Sequence, residues 1–194
     1  MTGGDVEVDD GELAARALAG REEGYRALMA RHRESVYRMV RAQISDADAA
    51  VDVTQESFIA AFAHLGRYDP ARPFRHWIMR IALNKCRDWR RRRAVRGFFS
   101  RAQPLEEGGV HVADSAPGPE AEAAGRRQMA QVRRAINAMP DNLRSILLLR
   151  TVEGMSQAEV AMLLGLSEKA VETRLYRARV KLSEMVRDFA PPRV

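Results

Sequence analysis

Apolar residues in this chain return at helical intervals, and no stretch alternates apolar with polar residues over a strand's length between turn signals. Leu28, Val36, Met39, Val40 and Ile44 form one stripe. Val51, Phe58, Ile59, Phe62 and Leu65 form a second, with Asp46 placed to cap its start and Gly66 to end it. The turn-rich segment Gly66–Pro73 then interrupts the pattern, and a third helix is expected from Phe74, with Trp77, Ile78, Ile81 and Trp89 available to pack. Counting a short helix near Leu13–Leu18, this half reads as a bundle of about four helices. The pattern predicts an all-α chain: two small helical domains, a bundle and a helix-turn-helix domain, joined by a flexible linker.

The domain division comes from charge. The 194 residues carry a net charge of +6, unevenly spread. Residues 1–12 carry −5, residues 13–99 carry +9, residues 100–124 carry −4 and residues 125–194 carry +6. The acidic middle is rich in Gly, Pro, Ala and Glu and has no sustained period, which is linker composition. Domains are therefore expected over about 10–99 and 122–190, with residues 100–121 as the linker. The acidic head and linker are expected to discourage the basic faces from binding DNA prematurely. Only Lys85, Lys169 and Lys181 of the 32 basic residues are lysine. Arginine forks suit phosphates and guanine edges, although a GC-rich genome also enriches arginine. Cys86 is the single cysteine, so no internal disulfide can form and a reducing, cytoplasmic setting is expected. No apolar run approaches the roughly 20 residues that span a bilayer, and no secretory signal is visible.

The second block has the sharpest local pattern. Pro140-Asp141 offers a helix start, Ile146–Leu149 an apolar body and Gly154 a stop. Ser156-Gln157-Ala158-Glu159 spells a capping box, and the helix it opens would turn Val160, Ala161 and Leu164 inward. Gly165 makes a turn and Ser167 caps the next helix, with Val171, Leu175, Ala178 and Leu182 on one face and Lys169, Glu172, Thr173, Arg174, Arg177 and Lys181 on the other. A short helix, a glycine turn and a polar-faced second helix is helix-turn-helix grammar. A plain helical hairpin with a solvated face shares that pattern.

Three segments, read together, are more specific: D-V-T-Q-E-S-F-I-A-A-F over 52–62, F-R-H-W-I-M-R-I-A-L-N-K-C-R-D-W over 74–89, and G-M-S-Q-A-E-V-A-M-L-L-G-L-S-E-K-A-V-E-T-R-L-Y-R-A-R-V-K-L over 154–182. In this order, with a linker between the second and third, the chain resembles bacterial RNA polymerase sigma factors of the extracytoplasmic-function (ECF) group. The resemblance implies that the first segment docks on the β′ subunit of core polymerase through Asp52, Gln55, Glu56 and Phe58, though spacing alone makes Phe58 a core residue. It implies that the second segment reads the −10 element and captures a flipped base, with Tyr68, Arg72, Arg75, Arg80, Asn84, Lys85, Arg87 and Arg91 facing DNA. Arg75 to Arg101 indeed carry ten basic residues against one acid, Asp88. It assigns −35 reading to Lys169, Glu172, Thr173, Arg174, Tyr176 and Arg177. Glu172 departs from the family pattern, in which a basic or neutral residue is common. The partners implied are core RNA polymerase (β and β′ subunits), promoter DNA and an anti-sigma factor; no cofactor and no metal are expected.

Two other classes compete. A free-standing helix-turn-helix regulator would fit the C-terminal block, but a phosphoacceptor receiver would need alternating strands and helices in the first. A metal-dependent nuclease could use the acidic row Asp48, Asp52 and Glu56, which share a helix face, yet no histidine lies in register. No nucleotide-hydrolysis loop is present, so promoter melting would draw on binding energy. Cys86 in a basic helix would be a reactive thiol if exposed and inert if buried.

Overall fold

The computed structural model describes residues 8–100 and 120–188. Among them are eight α-helices and one 3-10 turn. The first domain comprises α1 (Asp10–Leu18), α2 (Glu22–Gln43), α3 (Ala47–Ala63), the 3-10 turn Leu65–Arg67 and α4 (Phe74–Ser100). The second comprises α5 (Glu120–Ala138), α6 (Asp141–Thr151), α7 (Gln157–Leu164) and α8 (Glu168–Asp188).

The acidic head is partly structural. Asp9 caps α1 by accepting from the Glu12 amide at 2.8 Å. Asp10 ties α1 to α2, accepting from Arg31 at 2.7 Å and lying 2.9 Å from His32 Nε2. The two helices approach so closely at Gly24 that a Cβ there would sit 2.6 Å from the Leu13 carbonyl oxygen. Deleting residues 1–12 would therefore remove a cap and a tether, so Asp9 and Asp10 are not free charges that merely repel DNA. Glu106 and Glu107 lie outside the described residues.

The expected α2 stripe is buried throughout. Of the stripe expected around α3, Phe58 and Leu65 are buried and Phe62 packs half-buried against the core, whereas Val51 and Ile59 are 41% and 69% exposed. The buried face is Ala50, Val53, Thr54, Ser57, Phe58 and Ala61. Small residues take that face because α2 and α4 pack close against it. The Thr54 and Ser57 hydroxyls are satisfied by donating to the carbonyls of Ala50 and Val53.

Cys86 is buried in α4, and desolvation pushes its thiol up to about 12 despite the neighbouring Arg144 and Arg90. Iodoacetamide at pH 8 is therefore expected to leave the native protein unmodified and to label it only in denaturant. Rapid labelling of native protein would contradict the burial.

In the second domain α5 was not anticipated, and its start at Glu120 falls inside the segment assigned to the linker. Residues 101–119, the rest of that segment, lie outside the described residues. The capping box is present: Ser156 Oγ accepts from the Glu159 amide at 3.2 Å, and Glu159 accepts from the Ser156 amide at 2.7 Å. Gly165 turns the chain with φ of 66°, a conformation other residues adopt at a cost. Ser167 caps α8 by accepting from the Ala170 amide at 3.2 Å. Val171, Leu175 and Ala178 are buried as expected, whereas on α7 it is Leu163 rather than Leu164 that is buried beside Val160 and Ala161. The two domains also pack together, α2 on α6 and α4 on α7.

Candidate functional site

An α-helix advances 100° per residue, so the run Arg90–Arg93 cannot face one way. Arg90 turns to the second domain, donating to the Asn137 carbonyl at 2.7 Å. Arg91 points outward beside Asp88 at 3.0 Å. Arg92 leans to Glu56 on α3 at 3.8 Å, and Arg93 covers the Trp89 ring. The outward row on α4 is Arg80, Asn84, Arg87 and Arg91, at intervals of four, three and four, and all four side chains are exposed. This row is basic with one amide, a surface suited to phosphates and a base edge. Lys85 stands aside from it and pairs with Glu56 at 3.6 Å.

The loop before α4 is held by its own side chains. Tyr68 donates its hydroxyl to the Arg72 carbonyl at 2.7 Å, and Asp69 accepts from the Ala71 amide at 3.0 Å. The Tyr68, Phe74 and Trp77 rings meet with centroids 5.3–5.5 Å apart. Together with Arg67, Arg72, His76 and Arg80, Tyr68 and Trp77 line a cavity of about 150 Å³, which Met162 and Leu163 of α7 also wall. His76 Nε2 lies 3.5 Å from the Glu159 carboxylate. Hydrogen bonds from Ser156 and the nearby His76 hold the Glu159 carboxyl below the usual carboxylate range. Burial lowers His32, which packs on Phe74, below the ordinary histidine value.

Three expected contacts need correction. Phe58 is 2% exposed and belongs to the core, so it offers no surface to a partner. Tyr68 is buried with its hydroxyl already bonded, and contributes a wall rather than a reaching group. Arg75 is taken up by the second domain, donating to Glu153 Oε2 at 2.7 Å and to the Glu153 carbonyl at 2.9 Å. On α3, Asp52 and Gln55 are exposed, flanked by exposed Val51 and Ile59, and Glu56 is half-buried. On α8, Lys169, Glu172, Thr173, Tyr176 and Arg177 are exposed and Arg174 is half-buried. Lys169 lies 3.8 Å from Glu172, which offsets the repulsion a bare carboxylate would exert on phosphate. Ser35, Arg38, Gln43, Asn137, Arg144 and Glu153, which no sequence pattern singles out, join the domains. Their partners lie 47 to 118 positions apart, beyond any local signal.

Residues 28–96 match the family model for Sigma-70 region 2, and residues 129–182 match that for Sigma-70, region 4. The chain is 42% identical to RNA polymerase sigma factor CnrH of Cupriavidus metallidurans, over 90% of this chain and 92% of that protein. It is 31% identical to ECF RNA polymerase sigma factor SigM of Mycobacterium tuberculosis, over 95% of this chain and 88% of that protein. The chain belongs to the ECF group of RNA polymerase sigma factors. A solved structure of CnrH in complex with the cytosolic domain of CnrY superposes on this sigma factor with a TM-score of 0.66 and 33% identity, covering 93% of this chain and 99% of that one. As an ECF sigma factor the protein directs promoter-specific transcription initiation, which sets aside the free-standing regulator. Sigma factors are regulatory, non-catalytic proteins. Among the described residues no group of three His, Cys, Asp or Glu is placed to hold a metal ion, and no helix is long and apolar enough to cross a membrane.

Proposed function

We propose that the two domains of this sigma factor divide the promoter between them. Residues 10–99 bind core polymerase and read and melt the −10 element, and residues 122–190 read the −35 element. The observation that carries the first assignment is the exposed row Arg80, Asn84, Arg87 and Arg91 beside the aromatic-walled cavity. Such a row tracks a phosphate backbone, and the cavity beside it is where a flipped base would enter. Arg72 and Lys85 supply charge at its margins. Asp52, Gln55 and Glu56 on α3, with exposed Val51 and Ile59, form the polymerase contact. On α8, Arg174 and Arg177 fork onto guanine or phosphate, with Lys169, Glu172, Thr173 and Tyr176 around them. The protein acts in the cytoplasm, has no enzymatic activity of its own and requires no cofactor. By similarity to CnrH, whose structure contains the cytosolic domain of CnrY, it is held by an anti-sigma factor.

The deciding experiment is transcription in vitro with purified core polymerase on genomic fragments. Discrete transcripts are expected only when the protein is added, and their absence from every fragment would refute this reading. Within it, Arg174→Ala is expected to weaken −35 recognition by about 1–3 kcal/mol and relax preference at one position. Fluorescence anisotropy with single-base variants of the promoter measures this, and an unchanged preference profile would remove Arg174 from the reading set.

A further inference from the structure

The outward face of α8 carries an acid that the helix itself does not need. Val171, Leu175 and Ala178 are buried and fix the phase of α8. At 100° per residue, Lys169, Thr173 and Tyr176 then point away from the domain with Glu172 beside them, and all four are exposed. Glu172 lies one turn past the helix start at Glu168, beyond the reach of the N-terminal dipole that favours acids. Glu168 stands four positions before it, a like charge at a spacing that destabilises a helix. Glu172 pairs with Lys169 at 3.8 Å, and the two side chains are 62% and 87% exposed. So exposed an ion pair contributes little to stability and leaves both groups available. A carboxylate on a surface that meets phosphates also weakens binding by repulsion. The acid thus serves neither the helix nor phosphate contact, which leaves the base edges.

Lys169 and Glu172 present a donor and an acceptor 3.8 Å apart in the first turns of α8, the part of a recognition helix that reaches base edges. A C·G pair shows the complement in the major groove: the cytosine N4 amino group donates, and guanine O6 and N7 accept. N4 and O6 are hydrogen-bonded to each other, about 2.9 Å apart, so an ammonium and a carboxylate separated as here span both. An A·T pair also sets a donor beside an acceptor, but there the acceptor is thymine O4, crowded by the C5 methyl, where guanine offers two acceptors. We propose that Glu172 and Lys169 act as a couple that selects one C·G pair of the −35 element, Glu172 accepting from cytosine N4 and Lys169 donating to guanine. This rests on the assignment of α8 to the −35 element above.

The test uses holoenzyme assembled from the full chain and purified core polymerase, with a library of promoter duplexes randomised across the −35 element. Bound duplexes are sequenced for wild type, Glu172→Ala, Glu172→Gln and Lys169→Ala, each checked for helicity by circular dichroism. Wild type is expected to enrich C·G about tenfold over the other pairs at one position. Glu172→Ala should abolish that enrichment and leave preferences at the other positions as they were. Glu172→Gln should move the preference at that position to A·T, because an amide pairs with adenine N6 and N7. Lys169→Ala should weaken selection at the same position, and full wild-type enrichment in that variant would overturn the couple. If Glu172→Ala binds every sequence more tightly and alters no preference, the carboxylate only repels phosphate and the proposal is overturned while the −35 assignment stands. If wild type selects no sequence in the element, the assignment of α8 fails and this inference falls with it.

Discussion

Arg144→Ala is expected to lower the unfolding free energy by about 3–5 kcal/mol, the cost of removing one member of a buried charged set. Arg144 is wholly buried in α6. Its guanidinium donates to Gln43 Oε1 at 2.9 Å and to the Asn137 carbonyl at 2.9 Å, and pairs with Asp141. Desolvation and the nearby Arg90 pull it down to about 10, so it stays charged at neutral pH. Truncation leaves a guanidinium-sized void lined by acceptors. Asp141 is 43% exposed and can rehydrate, but Gln43 is buried and cannot. The loss is large against a total stability of about 5–15 kcal/mol. Urea titration followed by circular dichroism measures it. Arg144→Met combined with Gln43→Leu is expected to recover much of the loss, because an apolar pair leaves little unsatisfied. A single-variant loss under about 1 kcal/mol would show that the guanidinium is dispensable.

That prediction rests on a residue whose role the sequence hid. Caps and turns were legible because their partners lie three or four positions away: Asp46 to Ala49, Ser156 to Glu159, Ser167 to Ala170. The α2 stripe was legible because its large side chains all point one way. The α3 face was misread because choosing the largest apolar residues selected Val51 and Ile59, whereas close packing selected Ala50, Ser57 and Ala61. The resemblance pointed to α4, but which of its arginines face out follows from helical phase and from the acids of α3 and α6. Glu153 lay in a short turn with no periodicity, and its partners are more than 70 positions away. Contacts of that separation are a property of the domain arrangement, which no local pattern encodes.

Phe74→Ala is expected to cost about 3–5 kcal/mol as well, by cavity formation in the core, and to reach function by a different path. Phe74 opens α4 directly after Pro73 and is fully buried. Its ring meets His32 of α2 at 5.2 Å, Tyr68 of the loop at 5.3 Å and Trp77 of its own helix at 5.5 Å. Among the described residues it is thus the one ring in contact with α2, the loop and the cavity wall together. Without it Tyr68 keeps its hydroxyl bond to the Arg72 carbonyl but loses an edge-to-face neighbour, worth about 0.5–1.5 kcal/mol beyond area. The loop should then loosen even where the bundle stays folded. At a temperature where the variant remains native, polymerase binding, proposed above to run through α3, should persist, while promoter melting, read by permanganate reactivity of unpaired thymines, should fall. Phe74→Leu keeps most of the buried volume and should restore stability more fully than melting, because the aromatic contact to Tyr68 is not replaced. Equal recovery of both would mean that Phe74 serves the bundle alone, and that the loop holds its shape through the Tyr68 and Asp69 hydrogen bonds.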